Sequence, residues 1–308
     1  MSLNWQSVPG NFDDYLYNFL VPLEAATTQQ RWQPTLVNGD ITIGIGFDLK
    51  AGGKPAQDAV LDELGFDPRT VALDPANPPP SGPALIEFTY ISAIRSAIAA
   101  GNLPQLNVLM QARAQVASTN VAYAQFLAQP PRTSFAFQND TEVREVFDTL
   151  WPNVYSPYIS RHYPSLASDA GFQNSLELVA LASLVWNGGP GILGTEKAGL
   201  GQAIASGNRA EAWFQIRYQR NPHQDPAVAR RRYYESQVFG LFDNPGAPTY
   251  AEAVQAYQML TQHRSTIIPY ETIFGADPDG SSGSASVPSA APSVAPNAVV
   301  SFPIDRRP

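Results

Sequence analysis

Glu24, Thr42 and Asp48 are the side chains of this 308-residue sequence whose types and spacing best suit chemistry between them. Glu24 continues the apolar stripe of Phe12, Tyr15, Leu16, Phe19, Leu20 and Leu23, which has helical spacing. A carboxyl group on such a stripe is stripped of water, which disfavours its charged form and suits it to hold a proton near neutral pH. By position alone the plainer reading is a half-exposed glutamate at a helix end. Asn38-Gly39, flanked by alternating β-branched residues, signals a tight hairpin turn. From Ile41 the pattern has period two, with Ile41, Ile43 and Ile45 on one face and Thr42, Gly44, Gly46 and Asp48 on the other. The isoleucine face wants a core. The opposite face lacks side chains at Gly44 and Gly46 between a hydroxyl and a carboxylate, which suits a groove where a long substrate lies against backbone. Six straight residues from Thr42 to Asp48 span roughly 20 Å, so the strand must bend at its glycines for Asp48 to act beside Glu24. The plain alternatives are a capped Asp-Leu-Lys turn for Asp48 and simple β-propensity for Thr42. Asp40 is the reserve carboxylate, although its place beside the turn points to turn chemistry.

The elements around these residues read mostly as helices. Residues 11 to 25 form the first, capped by Asn11 or Asp13, with Pro22 kinking it or starting a new turn. Lys54 to Leu64 is a short helix, 66 to 83 an irregular Pro/Asp/Gly connection, and 84 to 100 and 105 to 128 are helices ended by Pro130-Pro131. Asp140 or Thr141 caps a helix through Leu150. Residues 175 to 186 are apolar all round, marking a central buried helix stopped by Asn187-Gly188-Gly189-Pro190-Gly191, with Trp186 in the core. Helices follow over 198–206, 208–218 and 226–242, and the last over 249–263. Arg230, Arg231 and Arg232 point in three directions on their helix, and ion pairs are their expected use. Beyond Gly275 the Ala/Ser/Pro-rich composition predicts a flexible tail.

Thr42-Ile43-Gly44-Ile45-Gly46, following a glutamate-bearing helix, resembles the phage-type lysozyme superfamily. Gly46-Phe47-Asp48-Leu49, with its aspartate six residues after the threonine, is similar to the pesticin-type muramidases, bacterial toxins on the same fold. In the phage enzymes the second carboxylate precedes the strand and a His follows the last glycine. Here Asp40 is the only acid between Glu24 and Thr42, and Phe47 takes the His place. From Thr141 onward the order also resembles that family: a capped helix, a buried helix ending in Asn187-Gly188-Gly189, a short helix pair, then the three arginines with Glu235 and Phe239. Residues 50 to 140 lie outside the resemblance and read as an elaboration of the helical lobe.

The resemblance implies an α+β, mostly helical, lysozyme-like fold, with a small β-hairpin lobe, a larger helical lobe and a cleft between them. Residues 1–275 would be the domain and 276–308 the tail. It further implies a muramidase cleaving the β-1,4 bond between N-acetylmuramic acid and N-acetylglucosamine in peptidoglycan, as an antibacterial toxin or effector. Glu24 would then be the acid, Asp48 the second carboxylate and Thr42 the residue holding water, with Gly44, Gly46 and Asn187 against the substrate. The partner is the peptidoglycan glycan strand, and a toxin would also meet an immunity protein. A phage endolysin of the same chemistry, a lytic transglycosylase using Glu24 alone and a non-catalytic lysozyme-fold binding module are the alternatives.

Composition limits the field. With 44% apolar and 15% charged residues the chain is globular, and without cysteine it has no disulfide, thiol nucleophile or Cys-based metal site. His162, His223 and His263 are scattered, so neither metal nor cofactor is expected. A net charge of −8 argues against nucleic acid as partner. No run of 18 apolar residues and no basic-then-apolar N-terminus is present. The expectation is a protein not embedded in a membrane and made in the cytoplasm without a Sec-type signal. It would act in the periplasm or on the wall after delivery by a secretion machine or lysis.

Overall fold

Asn38 and Gly39 both adopt positive φ, 54° and 87°, in the computed structural model of the chain. Two successive left-handed residues make the mirror-image turn whose twist matches that of paired strands, and Asn-Gly is the pair that adopts it most readily. The structure describes residues 3–277 except 26, 75 and 128, so the tail expected over 276–308 lies, apart from its first two residues, outside the described residues. The chain is mostly helical with one small three-stranded antiparallel sheet. It divides into two compact units, Leu23–Val154 and Met1–Pro22 with Tyr155–Pro308, called here the hairpin unit and the helical unit.

Helix α1 (Phe12–Glu24) begins in the helical unit and carries its last two residues into the hairpin unit. Asn11 caps it, its Oδ1 accepting from the Asp14 N–H at 3.0 Å. The helix runs through Pro22 with no new start. Pro22 cannot donate to Asn18, and burial of Tyr15, Leu16 and Leu20 holds the helix together despite that loss.

In the hairpin unit α2 (Thr28–Trp32) leads to β1 (Thr35–Val37), β2 (Asp40–Ile43) and β3 (Phe47–Asp48). Six helices follow: α3 (Gly53–Glu63), α4 (Pro68–Val71), α5 (Pro83–Ala99), α6 (Leu103–Thr119), α7 (Val121–Phe126) and α8 (Asp140–Leu150). Asn120 ends α6 and caps α7, splitting the single helix expected over 105–128. Asp67 caps the short α4 inside the expected irregular stretch, and Asn139, one residue before the expected caps, starts α8. A buried triad ties α5, α6 and α7. The Glu87 carboxylate receives Arg113 Nε at 2.9 Å and Nη2 at 2.7 Å, together with the Tyr123 hydroxyl. Burial, with the adjacent carboxylate, pushes the Tyr123 hydroxyl above its ordinary pKa.

Gly44 shows how tightly the hairpin packs. A Cβ there would stand 2.3 Å from the Phe47 ring, and its φ is +71°. Gly44→Ala is therefore expected to destabilise the chain by about 2–4 kcal/mol, combining left-handed strain with overpacking. Urea unfolding measures this, and an unchanged midpoint contradicts it.

Helices α3 and α8 pack together with acids face to face. Glu63 hydrogen-bonds Glu145, and burial first, then that neighbour and Glu142, push its pKa up to about 7, against the opposing charge of Arg132. Arg132 itself pairs with Glu142 at 2.7 Å and donates to the Glu63 carbonyl at 2.9 Å. A carboxyl whose pKa is raised on folding binds more protons in the native state than in the unfolded one. Its contribution is present below the unfolded value of 4.5 and fades as pH climbs to about 7. Thermal melts should thus lose stability from pH 5 to 7.5, and Glu63→Gln should flatten that slope. A slope identical in the variant rejects the assignment.

The helical unit contains α9 (Ser156–His162), α10 (Pro164–Ala167), α11 (Leu176–Gly188), α12 (Leu200–Ala205), α13 (Arg209–Gln219), α14 (Pro226–Phe239), α15 (Tyr250–Gln262) and α16 (Arg264–Phe274). A π-helical turn over Trp151–Tyr155 precedes α9. Helix α11 is the buried central helix expected, with Ser175 as its cap and Trp186 stacked on Tyr155 at 4.1 Å between ring centroids. Arg231 and Arg232 form the expected ion pairs. Both bind Glu235, which also accepts from Ser183 at 2.7 Å, and Arg230 lies on the exposed side of the helix. Helix α16 extends beyond 263, where the sequence reading placed the last helix. It runs through Pro269 because Ile267 and Tyr270 pack on the α13–α15 core of Phe214, Tyr218 and Met259. Among the described residues no helix is long and apolar enough to cross a membrane.

Candidate functional site

Register arithmetic from the Asn38-Gly39 turn places Thr42 opposite Thr35, with their hydroxyls 3.0 Å apart. The chain then reverses completely. Gly44 and Gly46, at φ 71° and 80°, turn β2 back on itself, so Thr42 pairs with Asp48 and Ile43 with Phe47. The bend expected at the glycines is thus a second hairpin, and the roughly 20 Å of a straight strand shrinks to the roughly 5 Å between facing residues. Directly opposed residues share a face of a sheet. Thr35, Thr42 and Asp48 consequently form one row across the three strands, with Ile41 and Ile43 buried on the other face. Ile45, expected to continue that face as strand, is also buried but sits in the turn between the glycines.

Glu24 reaches this hairpin. A Cβ built on Gly46 would stand 2.8 Å from Glu24 Oε2 and 3.2 Å from its carboxyl carbon. The space left by the missing side chain is therefore filled by the Glu24 carboxyl group. Gly46 precedes Asp48 by two residues, a backbone reach of at most about 7 Å. The half-buried Glu24 and the half-buried Asp48 are in this way brought to one short stretch of chain. Gly44 has a different neighbour, since the Phe47 ring occupies the space beside it.

Asp48 has two tasks available to its two oxygens. Oδ1 accepts from the backbone N–H groups of Lys50 and Ala51, both at 2.8 Å, so it caps the turn after β3. Both bonds use the same oxygen, and among the described residues Oδ2 accepts no hydrogen bond. Asp40 is engaged elsewhere, its Oδ1 2.7 Å from Lys50 Nζ. The hydrogen bond and charge of Asp40, with Asp48 adding a smaller pull, raise the pKa of the exposed Lys50 ammonium.

Thr35 and Lys50 are neighbours that sequence reasoning did not single out. The turn register would have found Thr35, because a two-residue loop pairing residue 37 with 40 necessarily pairs 35 with 42. Lys50 carried no such signal. Asn187 belongs to the helical unit, where its Oδ1 accepts from Arg232 Nη2 at 2.8 Å. Glu24, Thr42, Gly44, Gly46 and Asp48 all belong to the hairpin unit.

No protein-family model, curated protein or solved structure matches this chain. A carboxyl group packed on a glycine and a second carboxylate with one available oxygen beside a threonine hydroxyl can hold a proton, a water and a developing positive charge. Among the described residues no cluster of three or more His, Cys, Asp or Glu is placed to hold a metal ion.

Proposed function

We propose that this chain is a peptidoglycan hydrolase of lysozyme-like fold, a muramidase cleaving the β-1,4 bond between N-acetylmuramic acid and N-acetylglucosamine. The observation that supports it most is the seating of the Glu24 carboxyl group on Gly46, two residues before Asp48, which itself pairs with Thr42. Glycoside hydrolysis needs an acid to protonate the leaving oxygen and a carboxylate to stabilise the oxocarbenium-like state or activate water. Glu24 takes the first role. Asp48 takes the second through Oδ2, with Thr42 orienting the water. A carboxyl separation of roughly 6.5–9.5 Å leaves room for that water and inverts the anomeric centre, while about 5 Å retains it.

A lytic transglycosylase acting through Glu24 alone is favoured by one observation, the use of Asp48 Oδ1 in the turn after β3. Digestion of purified peptidoglycan separates the two. A muramidase leaves a reducing sugar whose initial anomer reports inversion or retention, and a transglycosylase leaves an anhydro sugar lighter by one water. Wild-type protein that releases no sugar would leave only a non-catalytic glycan- or partner-binding module.

The biological setting that fits this activity is an antibacterial toxin or effector, opposed by an immunity protein and delivered to the periplasm or wall. A phage endolysin has the same chemistry. A neighbouring immunity gene marks the toxin, and a neighbouring holin gene marks the endolysin.

A further inference from the structure

Arg220, the residue that ends α13, is half-buried, and among the described residues no carboxylate stands within ion-pair distance of its guanidinium. Its Nη2 lies 3.5 Å from the Leu193 carbonyl oxygen, the outer limit of a hydrogen bond, and its Nε is buried without a partner. Nη1 makes no hydrogen bond to the described residues and, unlike Nε, is not shut off from solvent. The neighbouring Arg232 is fully engaged. Its Nε donates to the Arg220 carbonyl at 2.9 Å, its Nη2 to Asn187 Oδ1 at 2.8 Å and its Nη1 to Glu235, a carboxylate shared with Arg231. Burial lowers the pKa of Arg220; Tyr163 opposes this, and the Arg232 charge adds to it. What the guanidinium lacks is a counter-charge.

The loop over 194–199 runs beside it. A Cβ built on Gly194 or on Gly199 would stand 3.8 Å from Arg220 Nη2 in either case. Gly194 is half-buried and Gly199 exposed, so solvent meets the arginine past two residues that have no side chain. Glu196, the acid of this loop, is held by Ser165, accepting from its N–H at 3.2 Å and from its hydroxyl.

We propose that Arg220, between Gly194 and Gly199, forms an anion site that takes a phosphate group. A planar guanidinium fits two phosphate oxygens at once, and the glycines leave room for a tetrahedral anion to come close to backbone. A dianion also offsets the field of Arg232, for which a carboxylate carries only half the charge. The site is formed wholly within the helical unit and does not depend on the hydrolase reading.

Titration calorimetry on the full chain, in phosphate-free buffer, tests this with inorganic phosphate as the probe and acetate as the comparator. Saturable one-to-one binding of phosphate is expected, at least about tenfold tighter than acetate, as charge-assisted hydrogen bonds to a dianion imply. Arg220→Met, which keeps the apolar stem, should weaken phosphate by at least about tenfold. Gly199→Asp and Gly199→Asn carry the test if that variant does not fold. Both bear the same strain at φ +54° and the same approach to Gln215 Oε1, 3.3 Å from the added Cβ, but only Asp sets a carboxylate beside Nη2. The Asn variant should therefore bind phosphate at least about tenfold tighter than the Asp variant. Glycerol 3-phosphate bound as tightly as phosphate marks a phosphate group carried on a larger molecule, and its exclusion marks the free ion. No saturable binding of phosphate by wild type overturns the proposal. So does equal affinity for acetate, unchanged binding by Arg220→Met, or equal binding by the two Gly199 variants.

Discussion

Replacing Glu24 with Gln is expected to lower the rate of sugar release from peptidoglycan by about 10²–10⁴-fold, the usual contribution of a positioned general acid. Gln matches Glu in shape and keeps an oxygen toward Gly46, but it cannot give a proton to the leaving oxygen. Because the carboxyl group is half-buried at the end of α1, the melting temperature should move little compared with the rate. The measurement is the initial rate of reducing-end formation alongside a thermal melt. Equal rates in variant and wild type would remove Glu24 from the chemistry and, with it, the hydrolase reading built on the hairpin. Asp48→Asn separates the two enzymatic readings. Loss of activity comparable to that of Glu24→Gln supports the two-carboxylate muramidase, while retained activity with an anhydro product supports the transglycosylase.

Gly46→Ala should cost at least about 100-fold in rate, because moving a catalytic group by about 1 Å has that order of effect. The added methyl would stand 2.8 Å from Glu24 Oε2, a distance that real Cβ atoms avoid, so the carboxyl group must swing away. Backbone strain contributes as well, since Gly46 has φ +80°. Gly39→Ala separates these effects. Gly39 has φ +87° with nothing within 4 Å of the added Cβ, so it carries strain of about 1–2 kcal/mol without displacing Glu24. If Gly39→Ala loses as much activity as Gly46→Ala, general loosening of the sheet explains the loss and the carboxyl position does not. A Gly46→Ala protein with full activity rules out the idea that this glycine exists to seat Glu24.

The two substitutions bear on different kinds of information. The turn at Asn38-Gly39 was legible because its conformation is local: two residues that tolerate positive φ suffice, and the loop length then sets the register from Thr35 to Thr42. The apolar stripe ending at Glu24 and the all-round apolar α11 were equally legible, because helical periodicity reports which face is buried. Less was readable where tertiary burial outweighs a local breaker. Pro22 inside α1 and Pro269 inside α16 each remove one hydrogen bond, and sequence rules then predict a kink or an end. Burial of Leu16 and Leu20 in one case and Ile267 in the other offsets that loss.

By itself the sequence determined the first helix, the all-round apolar α11, the Asn38-Gly39 turn and the burial of the isoleucine face, because each depends on neighbours a few residues away. Only the tertiary structure decided that the chain doubles back at Gly44 and Gly46, that Phe47 fills the space beside the first glycine and that Glu24 fills the space beside the second. A glycine in a sequence announces that a side chain is missing. What occupies the vacated space depends on which distant atoms the packing of the whole unit brings there.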